Sequence, residues 1–211
     1  MRTQDEDTDA SALRDATFLR IVRDVSACTI CASVAHCHVL SDANGALDAT
    51  IIFVAEAPGR RGAAVTRVPL SGDETGKRFD AFLAIAGIDR RQAFVTNAVL
   101  CNPTDANGHN RAPRRAEIAQ CRGFLGRTLE VVAAPIVAAL GRVALESLRA
   151  IEPHDAQLAG DTGRAIPWRS RLLVPLYHPG RQSTLHRSHA AQEDDWRRLG
   201  ELCSSAPRLL P

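Results

Sequence analysis

The chain has 211 residues, 45% of them apolar and 24% charged, with a formal net charge of +2. That length supplies one sizeable core and gives no reason to divide the chain, and so small a charge does not argue for nucleic acid by itself. No apolar run approaches the roughly 20 residues that span a bilayer, and the acidic opening MRTQDEDTDASALRD lacks the basic-then-apolar order of an export signal, so a cytoplasmic protein is expected.

In chain order, residues 11–27 carry apolar side chains at helical spacing (Leu13, Phe18, Ile21, Val22, Val25). Residues 50–55 read as a buried strand, ended by Ala57-Pro58-Gly59. A helix is predicted from Gly76 to Ala86 with Phe79, Phe82 and Leu83 inward, then a strand over 93–99. Pro113 suits the first turn of a helix bearing Ile118, Cys121, Phe124 and Leu125. A third strand covers 135–140, a helix 142–150, and a fourth strand 172–177, which Pro175 weakens or places at an edge. A last helix spans 190–202.

Buried, non-alternating strands that alternate with helices predict an α/β fold, three layers deep, around a central four-stranded parallel sheet. One domain over 1–211 is expected, with 1–10 and 204–211 as flexible tails. Parallel sheets bind ligands beyond the carboxyl ends of their strands. The segments there are AEAPGRR, TNAVLCNP, LGRVA and YHPGRQS, which brings Glu56, Asn97 and His178 to one crevice. Neither a G-x-G-x-x-G nor a P-loop sequence is present.

Basic residues cluster locally: Arg60, Arg61 and Arg67; Arg111, Arg114 and Arg115; Arg181, His186, Arg187 and His189. Such loops fit a limited phosphate footprint, or else are solvated surface arginines. Six cysteines without an export signal argue against a disulfide framework. Cys28 and Cys31 form a C-x-x-C pair, with Cys101 and Cys121 roughly 70 and 90 residues downstream, too far for a compact zinc finger. On ligand count alone, four thiolates suit zinc and an iron–sulfur cluster equally.

The strand-end segments resemble the uracil-DNA glycosylase superfamily, in particular its iron–sulfur branches, families 4 and 5. Ala55-Glu-Ala-Pro-Gly59 is similar to the GEAPG motif of family 4 and Thr96-Asn-Ala-Val-Leu-Cys101 to TNxVxC. Asn110-Arg111, Pro113 and Glu117-Ile-Ala-Gln-Cys121 match NRxP…EIxxC; Ala139–Ala144 resembles LGxxA, and His178-Pro179 resembles HPS. Pro69–Gly76 looks closer to the FTGDxSG stretch of family 5. The resemblance covers residues 25 to 200 in order. Leu70 stands where family 4 has a phenylalanine that stacks on uracil, and Gly180 replaces the HPS serine. Asn110, with His109 beside it, occupies the place of the histidine in a crosslinking variant, so no covalent DNA adduct is expected.

The resemblance implies a monomeric, monofunctional glycosylase that flips uracil out of DNA and leaves an abasic site. His178 would donate to uracil O2 as charge builds there, and Asn97 would face O4 and N3–H. A backbone amide near Ala57 to Gly59 would complete recognition, beside Leu70. Either Glu56, matching family 4, or Asp73, matching family 5, would hold the attacking water. Cys28, Cys31, Cys101 and Cys121 would bind a structural 4Fe–4S cluster, with zinc the alternative metal and Cys37 the competing ligand. Arg111, Arg181, Ser183 and Arg187 would contact DNA, and Leu185 would fill the gap left by the flipped base. The plainer readings are a core histidine, a turn asparagine, and Leu185 packed on the core. Rival functions are the same fold acting on hypoxanthine or xanthine, and a non-catalytic, metal-stabilised module for damaged DNA.

Overall fold

The computed structural model describes residues 4–205. Its elements run α1 (Gln4–Ser26), β1 (Val34–Ala35), β2 (Ile51–Ala55), α2 (Ala63–Thr66), α3 (Glu74–Ala86), β3 (Ala93–Asn97), β4 (Asn102–Pro103) and α4 (Arg115–Val131). Next come β5 (Ile136–Leu140), α5 (Arg142–Arg149), α6 (Leu158–Asp161), β6 (Ile166–Trp168), β7 (Arg171–Leu176) and α7 (His189–Ser205). Of the tails expected at 1–10 and 204–211, residues 1–3 and 206–211 lie outside the described residues. The rest belongs to α1 and α7.

The main sheet has the order β3-β2-β5-β7-β6. The four expected strands are present and mutually parallel. The expectation of four strands needs one correction: β6 adds an antiparallel fifth at the edge, with Ile166 opposite Leu173 and Trp168 opposite Arg171. β7 is therefore an interior strand despite Pro175. The proline is tolerated because β6 reaches only to Leu173, so the missing N–H falls beyond its partner. Pro113 is also displaced from expectation. It precedes α4, whose cap is Arg114, with the Glu117 carboxylate accepting from the Arg114 backbone N–H at 2.8 Å.

Every residue of β2, β3 and β5 is buried, which is why these strands read as continuous apolar runs. One face packs Ile52, Val54, Phe94, Val137 and Ala139 against α1, α4 and α5 through Phe18, Ile21, Leu125, Leu129 and Leu148. The other packs Ile51, Phe53, Val95, Ala138 and Leu140 against α3 and α7. On that side Trp196 stacks on Phe82 and Phe53, with ring centroids 5.3 and 5.5 Å away, and meets Phe79 edge-on. A residue in the middle of three rings cannot be removed without leaving a void the backbone is unable to close. Trp196→Ala is expected to cost about 4 kcal/mol, read from the urea midpoint; a loss below about 1 kcal/mol would show that α7 does not anchor the sheet.

Candidate active site

A cleft of about 1080 Å³ opens at the carboxyl ends of the parallel strands, large enough for a nucleotide and its neighbours. Glu56, Ala57, Gly59, Leu70, Asp73, Asn97, His178, Arg111, Arg181 and Ser183 all line it. The convergence expected of Glu56, Asn97 and His178 is therefore present. The cleft also takes in Asn102, Asn110, Arg142 and Tyr177.

Asn97 ends β3, is 2% exposed, and its Nδ2 has no hydrogen-bond partner among the described residues. A buried amide left unpaired in a cleft is unexplained by folding alone. His178 follows β7. Its Nδ1 accepts from the Gly180 backbone N–H at 3.0 Å, which places the proton of the neutral ring on Nε2. A Cβ at residue 180 would stand 2.9 Å from that same Nδ1, so glycine lets the backbone approach the imidazole. Burial drives the His178 pKa down to about 4, against a smaller opposing pull from Asp73. The ring is neutral at physiological pH.

Glu56 and Asp73 differ in what their oxygens do. Asp73 caps α3, with Oδ1 accepting from Gly76 N–H at 2.9 Å. A Cβ on Gly62 would come within 2.4 Å of its Oδ2, so the carboxylate packs directly on the loop after β2. Glu56, half-buried, makes no side-chain hydrogen bond among the described residues. Burial raises its pKa and the Arg142 guanidinium partly offsets this. Leu70 holds a left-handed backbone (φ 46°), disfavoured for leucine. It is kept there by Arg90, which donates to Pro69 O at 2.6 Å, and by the first turn of α3 close behind.

The residues assigned to DNA separate into two groups. Leu185 is 81% exposed at the end of a tight turn spanning Arg181–Leu185, with Arg181 also exposed. Arg111, Arg187 and Ser183 instead face the protein. The Arg111 guanidinium binds Glu117 through two nitrogens at 2.8 and 2.5 Å and donates to the carbonyls of Ser33, Thr104 and Ala112. Arg187 pairs with the buried Asp195. Ser183 bonds to Gly180 O at 2.7 Å and faces Gln192. These three hold loops in place.

The cysteines are assembled by backbone pairing. β1 runs antiparallel to β4, with Ala35 opposite Asn102, which lays the Cys28–His38 arm along the segment after β3. Cys121 faces it from α4. Burial raises the thiol pKa values of Cys31, Cys101 and Cys121, the last to about 11. Charge on the neighbouring sulfurs adds to this: Cys28 and Cys101 act on Cys31, Cys28 on Cys101, and Cys101, Cys31 and Cys28 on Cys121. Four thiolates so placed repel one another unless a cation lies between them. Cys37 packs instead with Val39 and Ala63, and its Sγ points at Leu100 O.

Sequence reasoning missed two histidines here. The His36 ring lies against the carbonyls of Cys31 (3.0 Å) and Cys28 (3.3 Å), a neutral ring donating to one of them, and His38 Nε2 meets that of Cys28 (2.8 Å). With Cys101 their ligand atoms fall within 4.8 Å of one another, and both rings also contact the carbonyls of the C-x-x-C pair. The H-x-H spacing right after the C-x-x-C pair was the available signal.

Comparison with known proteins agrees with this geometry. The sequence profile of the uracil-DNA glycosylase superfamily matches residues 43–200. A type-4 uracil-DNA glycosylase of Archaeoglobus fulgidus is 29% identical over 162 residues, covering 74% of this chain and 77% of that one. The type-4 enzyme of Saccharolobus solfataricus is 29% identical over 168 residues, covering 77% and 75%. That of Thermotoga maritima is 30% identical over 136 residues, covering 64% and 67%. With about three quarters of its length inside the profile, the chain belongs to the uracil-DNA glycosylase superfamily.

Proposed function

We propose that the protein hydrolyses the N-glycosidic bond of uracil in DNA, leaving an abasic site for base excision repair. The observation that carries this reading is the cleft that gathers a neutral histidine with a directed Nε2–H, a buried unpaired amide and an unbonded carboxylate. The three type-4 relatives act on uracil in DNA according to their names.

A base stacked in a duplex cannot enter a cleft, so the nucleotide must first swing out of the helix. The exposed Leu185 is suited to occupy the space it vacates, with Arg181 near the phosphates. Asn97 Nδ2 donates to uracil O4 and its Oδ1 accepts from N3–H. The C1′–N1 bond breaks with its electron pair moving onto the base. His178 Nε2–H donates to O2 as the negative charge develops there. Water adds to C1′ and gives a proton to Glu56. Asp73, already capping α3, holds the loop beneath.

We place a 4Fe–4S cluster on Cys28, Cys31, Cys101 and Cys121. When bound it supplies a cross-link among the α1 exit, the segment after β3, and α4, with no electron transfer in the reaction. Cys101 precedes Asn102, a residue of the cleft wall, so this cross-link reaches the edge of the site. Such a chain acts as a monomer on a single DNA lesion.

Four outcomes test this reading. Purified protein should release uracil from a labelled oligonucleotide, seen as alkaline strand cleavage at the uracil. His178→Ala and Asn97→Ala should each lose roughly 100-fold in single-turnover rate, and full activity in both would remove them from the site. The rate should rise with pH through an acid limb above the ordinary carboxylate range, because Glu56 must be ionised and its burial raises its pKa. Glu56→Gln should abolish that limb, whereas an unchanged limb would transfer the water to another group. Finally, protein as purified should contain iron and sulfide. Cys121→Ala should lose them, together with several degrees of melting temperature and resistance of residues 104–114 to protease. Stoichiometric zinc without sulfide would replace the cluster assignment.

A further inference from the structure

Asn102 immediately follows Cys101 and is 1% exposed, yet lines the cleft. Its Nδ2 donates to Pro58 O at 2.6 Å and to Asn110 Oδ1 at 3.0 Å. The atom on Asn110 is identified as oxygen because it also accepts from the Arg60 backbone N–H at 3.0 Å. The Asn102 amide cannot be turned over: reversed, its oxygen would face two other oxygens. Oδ1 is thereby directed away from both, and it has no hydrogen-bond partner among the described residues. A buried acceptor left unpaired calls for a ligand that satisfies it. Pro58 lies two residues beyond Glu56, so the same amide that holds its oxygen free also ties down the loop carrying the carboxylate.

We propose that Asn102 Oδ1 is the second acceptor that orients the attacking water, Glu56 being the first. The proposal rests on the glycosylase reading. Water carries two O–H bonds, and a single acceptor leaves it free to rotate about one of them. With one O–H on Glu56 and the other on Asn102 Oδ1, a lone pair is fixed toward C1′. As C1′–N1 breaks and the electron pair leaves with uracil, that lone pair forms the C1′–O bond. The proton directed at Glu56 transfers to the carboxylate. The one directed at Asn102 remains as the hydroxyl hydrogen of the abasic sugar.

Methanol separates this role from simple loop support. It has one O–H, which Glu56 can accept, and a methyl group where water presents its second O–H to Asn102. The iron-loaded protein is mixed in excess with a uracil oligonucleotide in buffered methanol. Free uracil then counts every turnover. Alkali-labile sites count hydrolysis only, because a 1′-O-methyl sugar resists base. Asn102→Ala should slow uracil release roughly tenfold or more at unchanged DNA affinity, and raise the methanol-to-water ratio several-fold. Asn110→Ala removes the neighbouring tie from Asn102 to the Arg60 backbone while leaving the Pro58 bond and Oδ1 in place, and should slow release without moving the ratio. The ratio belongs to each turnover, so it is readable from the folded fraction even where a variant is less stable. A wild-type ratio in Asn102→Ala, or the same raised ratio in Asn110→Ala, would overturn the role of Asn102 alone. Failure of the wild-type protein to release uracil would overturn the glycosylase reading and this role with it.

Discussion

The register of the parallel sheet sets the relative positions of the groups around the cleft. Val54 stands beside Thr96 on one side and Ala139 on the other, and Ala139 beside Pro175. The strands therefore finish nearly level, and residues at or just past their ends share one rim: Glu56 and Gly141 directly after β2 and β5, His178 two residues after β7, with Asn97 the last of β3. A slip of one residue would reverse both faces at once, moving Phe53 from the aromatic side into the aliphatic one. Packing on two sides thus protects the relative positions of groups that never touch.

A second set of contacts fastens the rim loops to the cysteine arm. Arg111 reaches Glu117 on α4, Ser33 beside the C-x-x-C pair, and Thr104 beyond β4. Asn102 and Asn110 tie the following loop to Pro58 and Arg60. Glu117 is 5% exposed and would be costly without its guanidinium. The cysteine edge and the cleft edge are consequently one mechanical unit. A cluster placed there needs no redox function to matter, because order in the arm is order in the cleft.

The sheet and the convergence of Glu56, Asn97 and His178 were legible because each has a local signature: continuous apolar runs, then a polar residue at or just past the strand end. β6 was not, since three residues including Pro167 carry no period. The arginines are ambiguous in sequence for a different reason. A basic cluster looks the same whether it faces phosphate or a carboxylate, and the partners of Arg111 and Arg187 lie six and eight residues on, outside ordinary helical pairing. Asn102 was invisible because its significance is an oxygen without a partner, which only the folded arrangement of Pro58 and Asn110 creates.

In the proposed reaction, burial acts in opposite directions on the two groups assigned to either side of the scissile bond. It lowers the His178 pKa, leaving a neutral donor, and raises that of Glu56, which Arg142 holds partly in check. An imidazolium would be the stronger donor to uracil O2, but it would have to be desolvated before any negative charge existed to meet it. A neutral Nε2–H is cheaper to bury while waiting, and its bond strengthens only as the base becomes an anion. That difference between ground and transition state is what accelerates a reaction. The Gly180 N–H on Nδ1 keeps the donor on the correct nitrogen, so a backbone atom two residues away decides which face of the ring can act.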